Sequence, residues 1–235
     1  MQVIRPNCRV KLTPEDIEFV LKVVGTSDSS KEGLSRLLQD PDSLDLLLDN
    51  EALLRAVLEQ PQCLQISPQL YFYVLVRHSF RRSQLLDRPM TDYVASLLAD
   101  FMHQERTRCR VDGQPLDYFV DMLTALQSAD DVTSFHLRAH IGNQSLFLSG
   151  VFPDRVRFRA ERRGAPGLTY YEGLGSAQFR AASDHRLARQ YELAGIFSQL
   201  AERFHETCKA LNDLRDRLVS IGEADCGGLL IHPKD

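Results

Sequence analysis

The sequence contains no apolar stretch long enough to cross a membrane. Its longest apolar run extends from Leu70 to Val76, whereas a membrane-spanning helix needs about 20 apolar residues. The residues that follow Met1 also lack the apolar centre of a secretory signal. We therefore expect no cleaved export signal and no membrane partner.

Cysteine is scarce and irregularly placed. The five cysteines are an odd number, and none of them belongs to a Cys-x-x-Cys pair. This pattern argues against both a disulfide framework and a cysteine-built zinc site. We therefore expect a protein of the reducing cytoplasm.

Familiar catalytic motifs are missing as well. There is no Gly-x-Ser-x-Gly sequence, which exposes a nucleophilic serine on a tight turn. Gly173 and Gly175 lack the further glycine, the lysine and the preceding strand of a phosphate-binding loop. Cys208 follows His205 by three positions, and we predict that its thiol packs in the core rather than acting as a nucleophile.

The chain has no excess of positive charge. Its formal net charge is −4, which argues against nucleic-acid binding, because such binding depends on many basic contacts to phosphates. Residues 111–154 are mainly acidic and residues 155–189 mainly basic. Such alternating blocks favour charge matching within the chain or between subunits, and a local anion site is the alternative.

Helix signals are found along almost the whole chain. Thr13 precedes Pro14 and Ser67 precedes Pro68, so each hydroxyl can cap a helix whose first residue is proline. Gly25 is expected to end the first helix. We therefore predict an all-α fold, a multi-helix bundle forming a single domain. Its expected parts are an N-terminal arm (1–12), short helices (13–66), a helical core (67–183) containing a basic segment (155–166), a long helix (184–221) and a flexible tail (222–235).

The predicted long helix carries a heptad pattern. Apolar residues recur at alternating steps of four and three, which keeps one stripe of a helix facing a partner. The stripe, here called the seam, consists of Leu193, Phe197, Leu200, Phe204, Thr207, Leu211, Leu214, Leu218 and Ile221. Either the same helix of a second copy covers it, giving a homodimer, or the other helices of this chain do.

A pair of histidines suggests a metal site. His136 and His140 are four positions apart on a predicted buried helix, a spacing that places both imidazoles on one face. Glu172 or Asp131 from elsewhere in the bundle would have to complete the ligand set. The alternative is that the histidines are core residues that hydrogen-bond to neighbouring helices.

A basic and aromatic face suggests an anion site. Tyr73, Arg77 and Arg81 follow each other at steps of four, and Tyr170 could supply a second wall of the same pocket. Arginine binds phosphates and carboxylates through its planar fork of donors. The alternative is an internal salt-bridge network with the acidic 112–131 region.

The run from Arg155 to Arg163 is the most basic short stretch. Arginine alternates there with Val156, Phe158 and Ala160, a period that predicts an extended ribbon or a mobile arm. We expect this run to bind an acidic protein partner or the acidic face of a sister subunit.

Taken together, these patterns predict a helical binding protein of scaffold or regulatory type that associates with itself through its C-terminal helix. No cofactor is expected. The first alternative is a bundle enzyme that holds a metal or another cofactor at His136 and His140, with Tyr170 or Glu172 opposite. The second is a sensor of a small anion at Arg77 and Arg81.

Overall fold

The computed structural model describes residues 3–25, 40–59, 66–101, 110–111, 114–116 and 118–225. Within these ranges the chain is all-α, as predicted, with twelve helices. They are α1 (Pro14–Val24), α2 (Pro41–Leu48), α3 (Glu51–Glu59), α4 (Pro68–Arg82), α5 (Arg88–Phe101), α6 (Phe119–Ser128), α7 (Asp131–Val151), α8 (Pro153–Arg163), α9 (Leu168–Ser183), α10 (Arg186–Gln190), α11 (Ala194–Glu202) and α12 (Phe204–Asp225). Two antiparallel two-residue strands, β1 (Arg110–Val111) and β2 (Gln114–Pro115), precede α6.

The two helix starts predicted from the sequence are confirmed, and one carboxylate joins them. Thr13 caps α1 in a reciprocal capping box with Asp16, and Pro14 is the first helical residue. Asp16 also accepts hydrogen bonds from the Ser67 backbone N–H at 2.7 Å and from the Ser67 hydroxyl at 2.6 Å. Because Ser67 caps α4, this buried contact fixes the two N-termini against each other. Gly25 ends α1 as expected.

One large apolar core holds most helices together. Helix α7 packs mainly on α9 and α12, α9 packs on α11, and α4 packs on α5, α12 and α3. A smaller cluster of Met122, Leu137 and Ile141 attaches α6 to α7. None of the helices within the described ranges is both long enough and apolar enough to span a bilayer.

Close helix approach depends on specific glycines. A Cβ at Gly175 of α9 would overlap the Phe204 ring, and one at Gly142 of α7 would lie 2.9 Å from the Phe179 ring. The sequence predicts that Gly173 and Gly175 allow close packing of a neighbouring helix. Among the described residues, no atom lies within 4 Å of a Cβ at Gly173, so the prediction holds for Gly175 and not for Gly173.

The predicted continuous helix from residue 184 to 221 is wrong. The structure divides this segment into α10, α11 and α12. Glu192 has a left-handed backbone (φ 59°) between α10 and α11, and the second break lies at Arg203. A heptad pattern reports which side chains face the core, and it persists when successive helices change direction at a short turn.

The extended ribbon or mobile arm predicted at 155–166 is also wrong. Residues 153–163 form α8, which begins with Pro153 and ends at Gly164, a residue with φ 63°. Val156 is buried and Ala160 is half-buried one turn later. The alternation of arginine with apolar residues therefore conceals a helical spacing of four between Val156 and Ala160.

Parts of the sequence-based predictions concern residues outside the described ranges. The Asp112–Gly113 pair predicts a turn, and this turn lies outside those ranges, as does the tail after Asp225. Residues 222–225 continue α12 rather than starting the tail. The side chains of Leu218 and Ile221 are likewise outside the description.

Candidate functional site

The arginine that was predicted to bind an anion forms an ion pair with another residue of the chain. Arg77 is buried, and its Nε and Nη2 donate to the two carboxylate oxygens of Asp49 at 2.8 and 3.2 Å. Its Nη1 donates to the Leu86 carbonyl at 3.1 Å. Arg81 donates to the Asp49 carbonyl at 2.9 Å. The predicted salt-bridge alternative therefore describes Arg77, with Asp49 as its partner rather than the 112–131 region.

Asp49 belongs to a longer ion network. Arg88 donates to Asp49 through Nη2 at 3.0 Å, and its Nη1 lies 3.1 Å from Asp45, too poorly aligned for a hydrogen bond. Arg9 joins Asp45 at 2.9 Å and Asp92 at 3.1 Å. Burial raises the pKa of Asp49, but Arg77 and its neighbouring arginines outweigh burial and the net shift is downward. The network ties the N-terminal segment to α2, α4 and α5.

The two tyrosines of the predicted anion site belong to different parts of the bundle. Tyr73 is fully buried in the main core beneath the Arg9 guanidinium, 5.8 Å from its ring centre. Tyr170 is exposed at the start of α9 and contacts Tyr171, which packs on Phe119 of α6. The structure brings Tyr73, Arg77 and Arg81 onto one helix but does not show Tyr170 beside them.

His136 and His140 lie on α7 as predicted. Burial lowers the pKa of His140 to about 4, and burial and His185 lower that of His136. Within the described part of the chain, His136 Nδ1, His140 Nε2 and Gln144 Oε1 are buried without a hydrogen-bond partner. Asn143 lies on the same face of the helix and does have a partner, since it accepts a hydrogen bond from the Tyr93 hydroxyl at 2.7 Å.

Both remaining ligand candidates have other partners: Glu172 pairs with His205 at 3.0 Å, and Asp131 pairs with His185 at 2.8 Å and with Arg186 at 3.0 Å. The sequence also contains one Glu-x-x-His pair, Glu202 and His205, which is a spacing used by di-metal bundles. Glu202 instead accepts from Ser198 at 3.2 Å. Across the residues that the structure describes, no three His, Cys, Asp or Glu side chains are grouped to hold a metal ion.

The two cysteines whose side chains the structure describes, Cys8 and Cys208, are fully buried. Burial raises the pKa of both thiols, that of Cys8 to about 12. Both therefore remain protonated at neutral pH and are poor nucleophiles.

The seam from Leu193 to Leu214 is covered by this chain. All seven members in that range are buried within the monomer. Phe197 contacts the rings of Tyr93 and Phe179, and Phe204 contacts Phe179. Of the two arrangements left open by the sequence, the chain's own bundle covers this part of the stripe.

A groove of about 560 Å³ opens between α1 and α3. Its lining includes Lys22, Glu51, Arg55 and Glu59. The two signs of charge alternate along it, so the groove favours neither a cation nor an anion. It contains none of the predicted site residues.

Helix α8 concentrates positive charge on one face. Arg155, Arg159, Arg162 and Arg163 are all exposed, and at 100° per residue they fall within about one quadrant of the helix. Phe158 borders this quadrant, with 54% of its surface exposed. We call these five residues the arginine face. The start and stop signals at Pro153 and Gly164, read with the four-residue spacing of Val156 and Ala160, could have revealed it.

The acidic side chains of α8 point away from the arginine face. Asp154 pairs with Arg157 at 3.0 Å and with Arg215 of α12 at 2.8 Å. Among the described residues, none of the four arginines of the face forms an ion pair with a carboxylate. Arg162 lies over the Phe158 ring, 5.9 Å from its centre.

Comparison with known proteins gave no match to a family model, to a curated protein or to a solved structure.

Proposed function

We propose that this chain is a helical binding protein of scaffold or regulatory type, and that an acidic protein partner docks on the arginine face of α8. The observation that carries the proposal is the set of exposed arginines on one side of a short helix. Exposed charge of one sign raises the association rate of a complementary partner and selects against partners of like charge.

Local helix stability does not account for all of these arginines. Arg162 and Arg163 lie in the last turn of α8, where positive charge favours the negative end of the helix dipole. Arg155 lies in the first turn, where the same dipole disfavours a cation. Arg159 is in the middle of the helix and gains little from the dipole. A binding role explains all four positions.

A short acidic probe tests the proposal. We expect a fluorescein-labelled polyglutamate 12-mer to bind the full chain, with affinity falling as salt is raised. The triple variant R155Q/R159Q/R162Q should bind at least about tenfold more weakly. The control R55Q/R180Q/R189Q removes the same charge from exposed arginines outside α8. Equal losses in the two variants would mean that net charge, and not the arginine face, binds the probe.

Self-association is a separate proposal. It concerns the part of α12 after Asp216, which includes Leu218, because the preceding seam residues are buried in the monomer. Sedimentation equilibrium of the full chain and of L218D tests it: a dimer that becomes a monomer in the variant supports the proposal, and a monomeric parent chain rejects it. Action in the cytoplasm also stays a prediction, based on the placement of the cysteines.

The two alternative functions stay predictions of lower rank. The donors of Arg77 are occupied by Asp49 and Leu86, so few N–H groups of this side chain are left to bind a free anion. Unpartnered ring nitrogens on both histidines support the metal-binding alternative. The carboxylate of Glu172, which would complete the ligand set, already pairs with His205.

A further inference from the structure

We infer that the partner of the arginine face is an acidic α-helix, with carboxylates repeating at steps of four and three residues, rather than an extended acidic segment. This inference rests on the proposed function and names the conformation of the partner.

The spacing of the arginines along α8 favours a helix. At about 1.5 Å per residue, Arg155 and Arg159 are about 6 Å apart along the axis, and Arg159 and Arg162 about 4.5 Å. A helix with acidic residues at i, i+4 and i+7 reproduces both steps, for a total of about 10.5 Å. In an extended strand, side chains on one face repeat about every 6.8 Å, so three of them cover about 13.6 Å. Three simultaneous pairs therefore fit the helix better.

The exposed ring of Phe158 sets a second requirement for the partner helix. Arg155, Phe158 and Arg162 follow each other at steps of three and four, the spacing of a helix–helix seam. More than half of the Phe158 side chain is exposed, although Arg162 already lies over its ring. An aliphatic residue on the partner helix, located between two carboxylates, would cover the remaining ring surface. A purely acidic chain cannot do so.

Helix α8 is held in place before any partner binds. Pro153 and Val156 are buried at its first turn, and Asp154 pairs with Arg215 of α12 at 2.8 Å. Gly164 provides a left-handed cap at the other end. A fixed array of arginine backbones lowers the conformational entropy lost on binding, and it makes the axial spacing a selective feature.

The remaining faces of α8 limit the partner to one helix. Arg157, Asp154 and Glu161 lie on the side opposite the arginine quadrant, where the two signs of charge are mixed. Val156 and Pro153 are turned toward the protein body. A single acidic helix laid along Arg155, Phe158 and Arg162 is therefore the complementary shape.

Two synthetic peptides of identical composition test the inference. One places glutamates at i, i+4 and i+7 with a leucine between them on one helical face, and a side-chain lactam holds it helical. The other carries the same residues and lactam, but distributes the glutamates around the helix. We expect the first, striped peptide to bind the full chain at least about tenfold more tightly than the distributed one, and more tightly than its own sequence with a central proline and no lactam, which cannot form a helix. Equal binding by that non-helical form would overturn the preference for a helix.

Variants separate the inference from the proposed function. F158A should weaken the striped peptide but not polyglutamate, whereas Y170A, which removes another exposed ring, should change neither. If polyglutamate fails to bind the parent chain, both the proposed function and this inference fail. If polyglutamate binds but the striped and distributed peptides bind equally, or F158A has no effect, the inference alone is overturned.

Discussion

The backbone N–H of Cys8 donates a hydrogen bond to Asp92 Oδ1 at 2.7 Å, which links the N-terminal segment to the middle of α5. The other oxygen of Asp92 accepts from Arg9 Nε at 3.1 Å. Burial raises the pKa of Asp92, although both hydrogen bonds act in the opposite direction. This carboxylate is almost completely shielded from solvent, and the hydrogen bonds from Cys8 and Arg9 oppose the upward shift of its pKa that burial causes.

Removing that anchor should release the N-terminal segment. D92A leaves the Cys8 N–H and the Arg9 Nε without their acceptor, while Arg9 Nη1 keeps Asp45. Breaking such a buried pair costs about 3 kcal/mol. We expect chemical denaturation to show a loss of this size, and amide hydrogen exchange to speed up around Cys8. D121A alters an exposed carboxylate and should have little effect. Unchanged exchange at Cys8 in D92A would contradict the assignment.

Acid should destabilise the protein through His140. The pKa of His140 is about 4 in the folded chain because of burial, and about 6.5 in an unfolded chain. Between these values only the unfolded state takes up the proton, so stability is complete above pH 6.5 and falls as the pH approaches 4. A shift of this size corresponds to about 3 kcal/mol.

H140Q should remove most of that pH dependence. Urea unfolding of the parent chain and of the variant between pH 7 and pH 4.5 measures it, and the exposed H205Q is the control. His78 and His136, whose pKa values are also lowered by burial, should leave a smaller residual slope. Equal slopes for the parent chain and H140Q would show that His140 is accessible to protons in the folded state.

Two glycines of α9 should respond in opposite directions to the same substitution. A Cβ at Gly175 would overlap the Phe204 ring and approach Ser145 within 2.8 Å, so G175A should destabilise the protein by about 1 to 3 kcal/mol. No atom of the described part of the chain lies within 4 Å of a Cβ at Gly173, so G173A should stabilise the helix by about 0.5 to 1 kcal/mol. Thermal unfolding of the two variants decides the matter, and shifts of the same sign would contradict the packing.

A charge introduced into the seam should destabilise the monomer itself, because this part of the seam is buried within one chain. Leu200 is fully buried in the monomer. L200D would place an unpaired carboxylate in the apolar core and should lower the free energy of unfolding by about 3 kcal/mol or more. Q190D, at an exposed position of α10, is the control. A variant that kept the melting temperature of the parent chain would show that Leu200 does not lie in a packed core.

Helix starts and stops could be predicted from the sequence because they depend on neighbouring residues. Thr13 and Asp16 cap each other within one turn, and Ser67 caps α4 three residues ahead. The stripe from Leu193 to Leu214 was also evident from its spacing. The spacing could not reveal that the helix predicted from residue 184 to 221 is interrupted twice, because burial of residues at steps of four and three does not require one continuous helix.

The partners and exposure of the candidate site residues could be predicted from the sequence less well than the helix ends. The position of Arg77 on a helix follows from the sequence, but its partner Asp49 is 28 positions away, and no local pattern connects them. The run from Arg155 to Arg163 was recognised as basic, yet its conformation was not, because the arginine alternation masked the two residues that face the core. Sequence thus determined where capped helices such as α1 and α4 begin and which side chains are apolar. Only the tertiary structure decided which charges are paired and which remain exposed, because pairing requires groups distant in the chain to meet within about 3 Å.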